Sequence, residues 1–163
     1  MKRLLIVWHS RTGAARAMAE AAEAGGRREP QVEVIRIPAE QAGPDDLLAA
    51  DGYLFAAPEN LASLSGEMKA FFDRSYYPVL DRLGGRPYAG LIAAGSDGEG
   101  AARQLARIAT GWRLKAVAEP LIVCTHAQSP EAILAPKALA AADLARCAEL
   151  GQALAAGLSL GVF

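Results

Sequence analysis

Ser10, Thr12 and Gly13 stand directly behind the apolar run Leu4-Leu5-Ile6-Val7-Trp8 and directly ahead of an alanine-rich, helix-forming stretch. Two hydroxyls and a glycine at a helix start can bring side-chain donors and free backbone N–H groups to one point. That is chemistry for holding an anion, and a phosphate fits it. The same residues also suit a plain helix cap, since Ser and Thr are favoured there. Competing patterns fail at this position. The G-x-G-x-x-G fingerprint is absent, and no Lys follows Gly13 as a G-x-x-x-x-G-K-[ST] loop requires. His9-Ser10-Arg11 and Pro58-Glu59 lack the acidic residues of a phospho-receiver, and there is no G-x-S-x-G nucleophile turn.

Two further segments share the character of His9 to Ala15. Pro58 to Ser65 and Gly95 to Gly100 each follow an apolar run and carry few large side chains. The elements that must position them can be read from the apolar pattern. Leu4 to Trp8, Gly52 to Ala57 and Tyr88 to Ala94 are continuous apolar runs, the mark of strands buried on both faces of a parallel sheet. Val32 to Ile37 alternates and reads as a more exposed strand. Leu114 to Val123 reads as a fifth, interrupted by Glu119-Pro120. Helices are expected over Ala14 to Ala24, briefly from Pro44-Asp45-Asp46, over Ser65 to Arg74, over Ala101 to Gly111, and over Lys137 to about Ala156. Thr125 to Pro136 reads as loop. Strands alternating with helices specify an α/β fold with a parallel sheet. With strand order 2-1-3-4-5, strands one, three and four are central neighbours. Their loops then converge outside the carboxyl ends, where open α/β sheets bind ligands.

Composition narrows the function. The 163 residues carry a formal charge of −1 and no basic stretch, which argues against a nucleic-acid partner. No apolar run reaches the ~18–20 residues of a membrane span. Lys2 and Arg3 precede an apolar run too short for a signal-peptide core, so a cytoplasmic protein is expected. Cys124 and Cys147 form neither a disulfide framework nor a zinc pattern. Alanine, at 36 residues, inflates the hydrophobic fraction of 52% and points to long helices. No linker or composition shift divides residues 1–163, so one domain is expected.

These segments resemble a known family. Val7-Trp8-His9-Ser10-Arg11-Thr12-Gly13-Ala14-Ala15 is similar to the flavodoxin phosphate loop, where hydroxyls and a glycine wrap the phosphate of FMN. Pro58-Glu59-Asn60-Leu61-Ala62-Ser63-Leu64-Ser65-Gly66-Glu67-Met68-Lys69-Ala70-Phe71-Phe72-Asp73-Arg74 is similar to the P-x(7)-G-x-M-K-x-F-x-D segment of flavodoxin-like NAD(P)H:quinone oxidoreductases and FMN reductases. Gly95-Ser96-Asp97-Gly98-Glu99-Gly100 resembles that family's third, glycine-rich loop. The resemblance implies a flavodoxin-like, doubly wound five-stranded parallel sheet of order 2-1-3-4-5 with helices on both faces. It implies an FMN site made of Ser10, Arg11, Thr12, Gly13, Ala14 and Ala15 around the phosphate, with Pro58, Glu59, Asn60 and Leu61 lining the flavin. Gly95, Ser96, Asp97 and Gly98 would offer backbone N–H groups to the flavin's polar edge.

The sequence departs from its relatives at five positions. Ala14 and Ala15 stand where polar phosphate ligands are usual, which leaves backbone N–H groups and Arg16. Leu61 stands where many relatives place an aromatic, and Glu59 and Asn60 replace small polar or basic residues. The implied activity is transfer of hydride from NAD(P)H, as co-substrate, through FMN to a quinone-like or flavin acceptor. No metal and no side-chain acid or base is required. The alternatives are a flavodoxin-type electron carrier and a flavodoxin-fold binding module without FMN. A homo-oligomer is compatible with the apolar tail Leu158 to Phe163.

Single residues carry their own expectations. Trp8 belongs in the core, His9 and His126 in solvent, and Arg74 and Arg82 in surface ion pairs. Tyr76-Tyr77-Pro78 either walls a pocket or packs on the preceding helix. Cys124 is expected as a small buried hydrophobe and Cys147 in helix packing.

Overall fold

The computed structural model describes residues 1–163. Its centre is a parallel sheet. Strand β1 (Lys2–Trp8) lies between β2 (Val32–Pro38) and β3 (Gly52–Asn60), and β3 continues to β5 (Pro87–Ala94). Helices α1 (Ala14–Gly26), α2 (Pro44–Ala49), α3 (Gly66–Ser75), α4 (Glu99–Gly111), α5 (Pro130–Leu134) and α6 (Ala141–Leu160) complete the fold.

The expected five strands become seven: the path β2-β1-β3-β5 is as expected, two short strands share the far side of β5, and one more pairs with β3. Two local causes account for the change. The fifth strand is broken into β6 (Lys115–Ala116) and β7 (Leu121–Cys124), both parallel to β5. Pro120 lies between them and has no N–H to give a ladder. The other addition is β4 (Ser63–Leu64), which folds back antiparallel on the end of β3. The turn between them places Leu61 at φ 52° and Ala62 at φ 63°. Both central residues are left-handed, as in the twisted turns that favour hairpins. Those turns normally carry Asn-Gly, so Leu61-Ala62 has no hairpin signal in its side chains.

The period-2 alternation of the strands sorts the core by side-chain size. Tyr53, Phe55 and Ala57 of β3 point to one face, where Phe71 and Phe72 of α3 and Leu105 of α4 meet them. Phe55 packs against Phe72 with ring centroids 5.2 Å apart, and Phe72 against Trp112 at 5.5 Å. Leu54 and Ala56 point to the opposite face, against Ala14, Met18 and Ala22 of α1 and Leu154 of α6. Aromatics fill one layer and alanines thin the other. On the thin side α1 and α6 touch backbone to backbone. A Cβ on Gly25 would fall 1.8 Å from the Ala148 carbonyl oxygen, and one on Gly151 2.0 Å from that of Ala22.

Helix ends also moved from their expected places. Helix α6 begins at Ala141 rather than Lys137, because the Lys137 N–H is bonded to the Thr12 carbonyl at 2.8 Å and the chain there is not helical. It runs on to Leu160 and stops at Gly161, at φ 66°. The Phe163 ring then packs over Gly157. Helix α5 occupies part of the segment read as loop, opened by Ser129, whose hydroxyl accepts the Ala132 N–H at 3.2 Å.

Buried polar groups mark where elements are tied. The Tyr53 hydroxyl donates to the Leu47 carbonyl at 2.7 Å and accepts from Arg86 at 2.9 Å. Arg86 also binds the Ala50 carbonyl at 2.6 Å, closing the end of α2. Burial pushes the Tyr53 phenol above its usual value, although Arg86 opposes it. Cys147 is fully buried between α6 and the sheet, as expected for helix packing, and burial pushes its thiol up to about 11. Cys124 differs from expectation: it is half-buried, with Sγ 3.8 Å from the Asp97 carbonyl. No helix is long and apolar enough to cross a membrane.

Candidate cofactor site

The carboxyl ends of β1, β3 and β5 are adjacent, and the segments that follow them border an open cleft. Of the sequence-predicted residues, Ser10, Arg11, Thr12, Ala14 and Ala15 line it from the first loop. Pro58, Glu59 and Asn60 line it from the end of β3, and Gly95 from the loop after β5. Gly13, Leu61, Ser96, Asp97 and Gly98 do not line it. Leu61 is fully exposed at the hairpin tip, and Ser96 and Asp97 are exposed as well.

The first loop is built around Gly13. Its φ of 105° is left-handed, and it forms the N-cap of α1. The Ser10 hydroxyl accepts the Gly13 N–H at 3.0 Å, which closes the loop from within. The N–H groups of Arg11, Thr12, Ala14 and Ala15 have no acceptor in the protein. Ala14 and Ala15 are themselves buried, so each contributes its backbone and almost no surface. In the third loop the N–H groups of Gly95, Ser96 and Asp97 are free, but that of Gly98 is not.

Gly98 is taken by Glu59. The Glu59 carboxylate accepts the Gly98 N–H at 2.9 Å and the Ala101 N–H at 3.0 Å. It therefore caps α4 from the end of β3, and α4 starts at Glu99 rather than Ala101. The hairpin seals the same end of the helix. A Cβ on Gly100 would lie 2.3 Å from the Ala62 carbonyl oxygen, and Gln104 Oε1 accepts the Leu64 N–H at 2.7 Å. Glu59→Ala is expected to destabilise the fold by about 1–3 kcal/mol, the range for orphaned buried donors. Glu59→Gln, which keeps one acceptor, should fall between. Urea unfolding of the three proteins checks the order, and equal midpoints would remove the capping role.

Other side chains stand away from their expected places. His9 is buried at 8% exposure, with Nδ1 2.8 Å from the Ser65 hydroxyl. Its Nε2 faces the carboxylates of Glu67 and Glu40 at 3.5 and 3.6 Å. The partner that buries it is 56 residues away, so the local sequence reads as a solvated loop. His126 is exposed, as expected. Trp8 is half-buried between the guanidinium groups of Arg16 and Arg36, 5.9 and 5.5 Å from its ring. Arg74 makes no ion pair; it donates to the carbonyls of Ala39 and Ala42, joining α3 to the loop after β2. Arg82 makes no ion pair either and reaches only the Pro78 carbonyl, at 3.5 Å. Tyr76 stacks on Trp112 at 5.8 Å, so it packs on helices rather than walling the cleft.

The far end of the chain supplies a fourth wall that the sequence reading missed. Thr125, Ala127, Ile133 and Lys137 line the cleft from the segment between β7 and α6. Lys137 Nζ lies 3.5 Å from the Thr12 hydroxyl. Only a basic residue in an otherwise apolar stretch marked it, with nothing local to bring it to the first loop.

Residues 26–129 match the family described as NADPH-dependent FMN reductase. The chain belongs to that family. Among curated relatives of this reductase-family chain, an NAD(P)H dehydrogenase (quinone) of Acidithiobacillus ferrooxidans is 34% identical over 95 residues, covering 46% of this chain and 48% of the relative. A flavodoxin of Aquifex aeolicus is 30% identical over 100 residues, covering 61% of this chain and 54% of the relative. The chain thus spans about half the length of the curated relatives it matches. A flavodoxin, WrbA-like protein from Agrobacterium tumefaciens has the same fold, with a TM-score of 0.77 at 20% identity over 98% of this chain and 99% of that one. The reductase-family sheet is thus flavodoxin-like.

Proposed function

We propose that the protein binds FMN in this cleft and passes hydride from NAD(P)H to a small quinone-like or flavin acceptor. The observation that carries the reading is the set of unpaired N–H groups on Arg11, Thr12, Ala14 and Ala15 around the left-handed Gly13. Such groups at the start of a 13-residue helix suit a phosphate, and the helix dipole adds to the attraction. The residues present fit the group. Unpaired donors are available at the first loop, and Gly95, which lines the cleft, adds a free N–H from the third.

When bound, FMN supplies the two-electron chemistry, accepting hydride and delivering it onward. The chain's own residues have simpler tasks. Ser10 holds the first loop closed, and the left-handed Gly13 opens α1 with the Ala14 and Ala15 N–H groups left unpaired. Pro58, Glu59 and Asn60 form one side of the cleft, with the Glu59 charge balanced by two N–H groups of α4. The carboxylate is therefore directed at the helix and not toward the bound group. A cytoplasmic location and a homo-oligomer are consistent with this reading.

Purified protein tests it directly. Flavin absorbance on isolation, or tight uptake of added FMN, followed by NADPH oxidation coupled to quinone reduction, is the expected result. Colourless protein that takes up no FMN overturns the proposal. FMN uptake without NADPH oxidation would instead fit an electron carrier. The net charge of −1 gives such a carrier little steering field.

A further inference from the structure

Lys137 reaches the first loop from 125 residues away, through main chain and side chain together. Its N–H donates to the Thr12 carbonyl at 2.8 Å, and its carbonyl oxygen lies 3.7 Å from where a Gly13 Cβ would stand. These main-chain contacts hold Lys137 beside the unpaired N–H groups whatever its side chain. Lys137 is half-buried, and its ammonium lies 3.5 Å from the Thr12 hydroxyl. Its other partners are neutral: the carbonyls of Ile133, at 2.9 Å, and Ala135, at 2.6 Å. None of the ion pairs in the protein includes it. The other basic groups of the loop are less suited to the task. Arg11 is exposed, and Arg16 is paired with Glu20 at 2.8 Å.

We propose that Lys137 is the phosphate-selecting cation of the cleft. It supplies from the end of the chain the interaction that Ala14 and Ala15 cannot supply from the loop. The inference rests on the FMN reading above and specifies the ligand class: a flavin ending in a phosphomonoester, in preference to the dephosphorylated flavin. A phosphomonoester carries a charge of about −1.5 to −2 at neutral pH. An ammonium without a carboxylate partner, on a half-buried residue, favours that dianion and gives a neutral hydroxyl little. Partial burial also limits screening by salt.

The test compares wild type with Lys137→Met and Lys137→Arg, titrated with FMN and with riboflavin by flavin fluorescence. Both variants keep the main-chain bond to Thr12. Lys137→Met is expected to weaken FMN binding about ten- to hundredfold, the loss that goes with one hydrogen bond to a charged group. Riboflavin affinity should not change, and Lys137→Arg should restore most of the FMN affinity. A purely structural role, through the carbonyls of Ile133 and Ala135, would lower both affinities together and leave their ratio fixed. That result, or unchanged FMN binding in Lys137→Met, overturns the proposal. If wild type takes up no FMN, the functional reading falls, and inorganic phosphate decides the residue's role. Thermal stabilisation of wild type by phosphate, lost in Lys137→Met, would uphold Lys137 as an anion-binding residue. An equal response in both, or none in either, would overturn it.

Discussion

Gly13→Val is expected to lower FMN affinity by about a hundredfold or more, with a smaller loss of stability. Bulk is not the reason: a Cβ at Gly13 would meet nothing nearer than the Lys137 carbonyl oxygen at 3.7 Å. The cost lies in the backbone. A φ of 105° with ψ of −15° is open to glycine and strained for an L-residue, most of all a β-branched one. Holding such a conformation costs about 1–3 kcal/mol. The loop can relieve it by rotating the peptide that orients the Ala14 N–H. Each hydrogen bond to a charged group is worth about 1.5–3 kcal/mol, so losing two accounts for the hundredfold. Titration with FMN, alongside circular dichroism to confirm folding, checks the result. Wild-type affinity in a folded Gly13→Val protein would remove the first loop from the site.

Gly151→Ala is expected to destabilise the protein, although alanine is the better helix former by about 1 kcal/mol. The new methyl would stand 2.0 Å from the Ala22 carbonyl oxygen and 2.7 Å from its carbon. Backbone cannot swing aside as a side-chain end can, so α1 and α6 must separate. Overpacking of this kind costs about 1–3 kcal/mol and occasionally more, and contact with backbone belongs at the upper end. A net loss of about 2 kcal/mol lowers the unfolding midpoint by roughly 4–8 °C in a domain of this size. Gly66→Ala is the control. Gly66 opens α3 with nothing within 4 Å of its would-be Cβ, so the substitution should be neutral or mildly stabilising. A Gly151→Ala midpoint at or above wild type would refute the close contact.

The parts of the fold that were legible in the sequence depend on short-range pattern. Leu4 to Trp8, Gly52 to Ala57 and Tyr88 to Ala94 form central strands because unbroken apolar runs suit burial on both faces. Their order then brings three loops to one crevice, which is why nine predicted residues share a cleft. The parts that were not legible depend on partners far along the chain. Nothing beside Glu59 announces that its carboxylate will find the N–H groups of Gly98 and Ala101, 39 and 42 residues on. Nothing beside His9 announces Ser65, and Lys137 stands alone in its stretch. The hairpin at Leu61-Ala62 was hidden for a different reason. Its conformation is imposed by packing on α4, against the local preference of both residues.

The segment from Gln128 to Pro136 is exposed along its whole length. Its main-chain ties to the rest of the protein lie just outside it, at Thr125 and His126 on one side and Lys137 on the other. It also lies almost wholly beyond residue 129, where the match to the family ends. Evolution can therefore lengthen, shorten or rewrite this stretch at little cost to the sheet, because surface loops tolerate such change. Ile133 within this span and Lys137 at its edge line the cleft, so a change in its length alters the fourth wall and the charge that wall carries. A change of ligand preference has a physical address here, in a part of the chain that folding leaves free to vary.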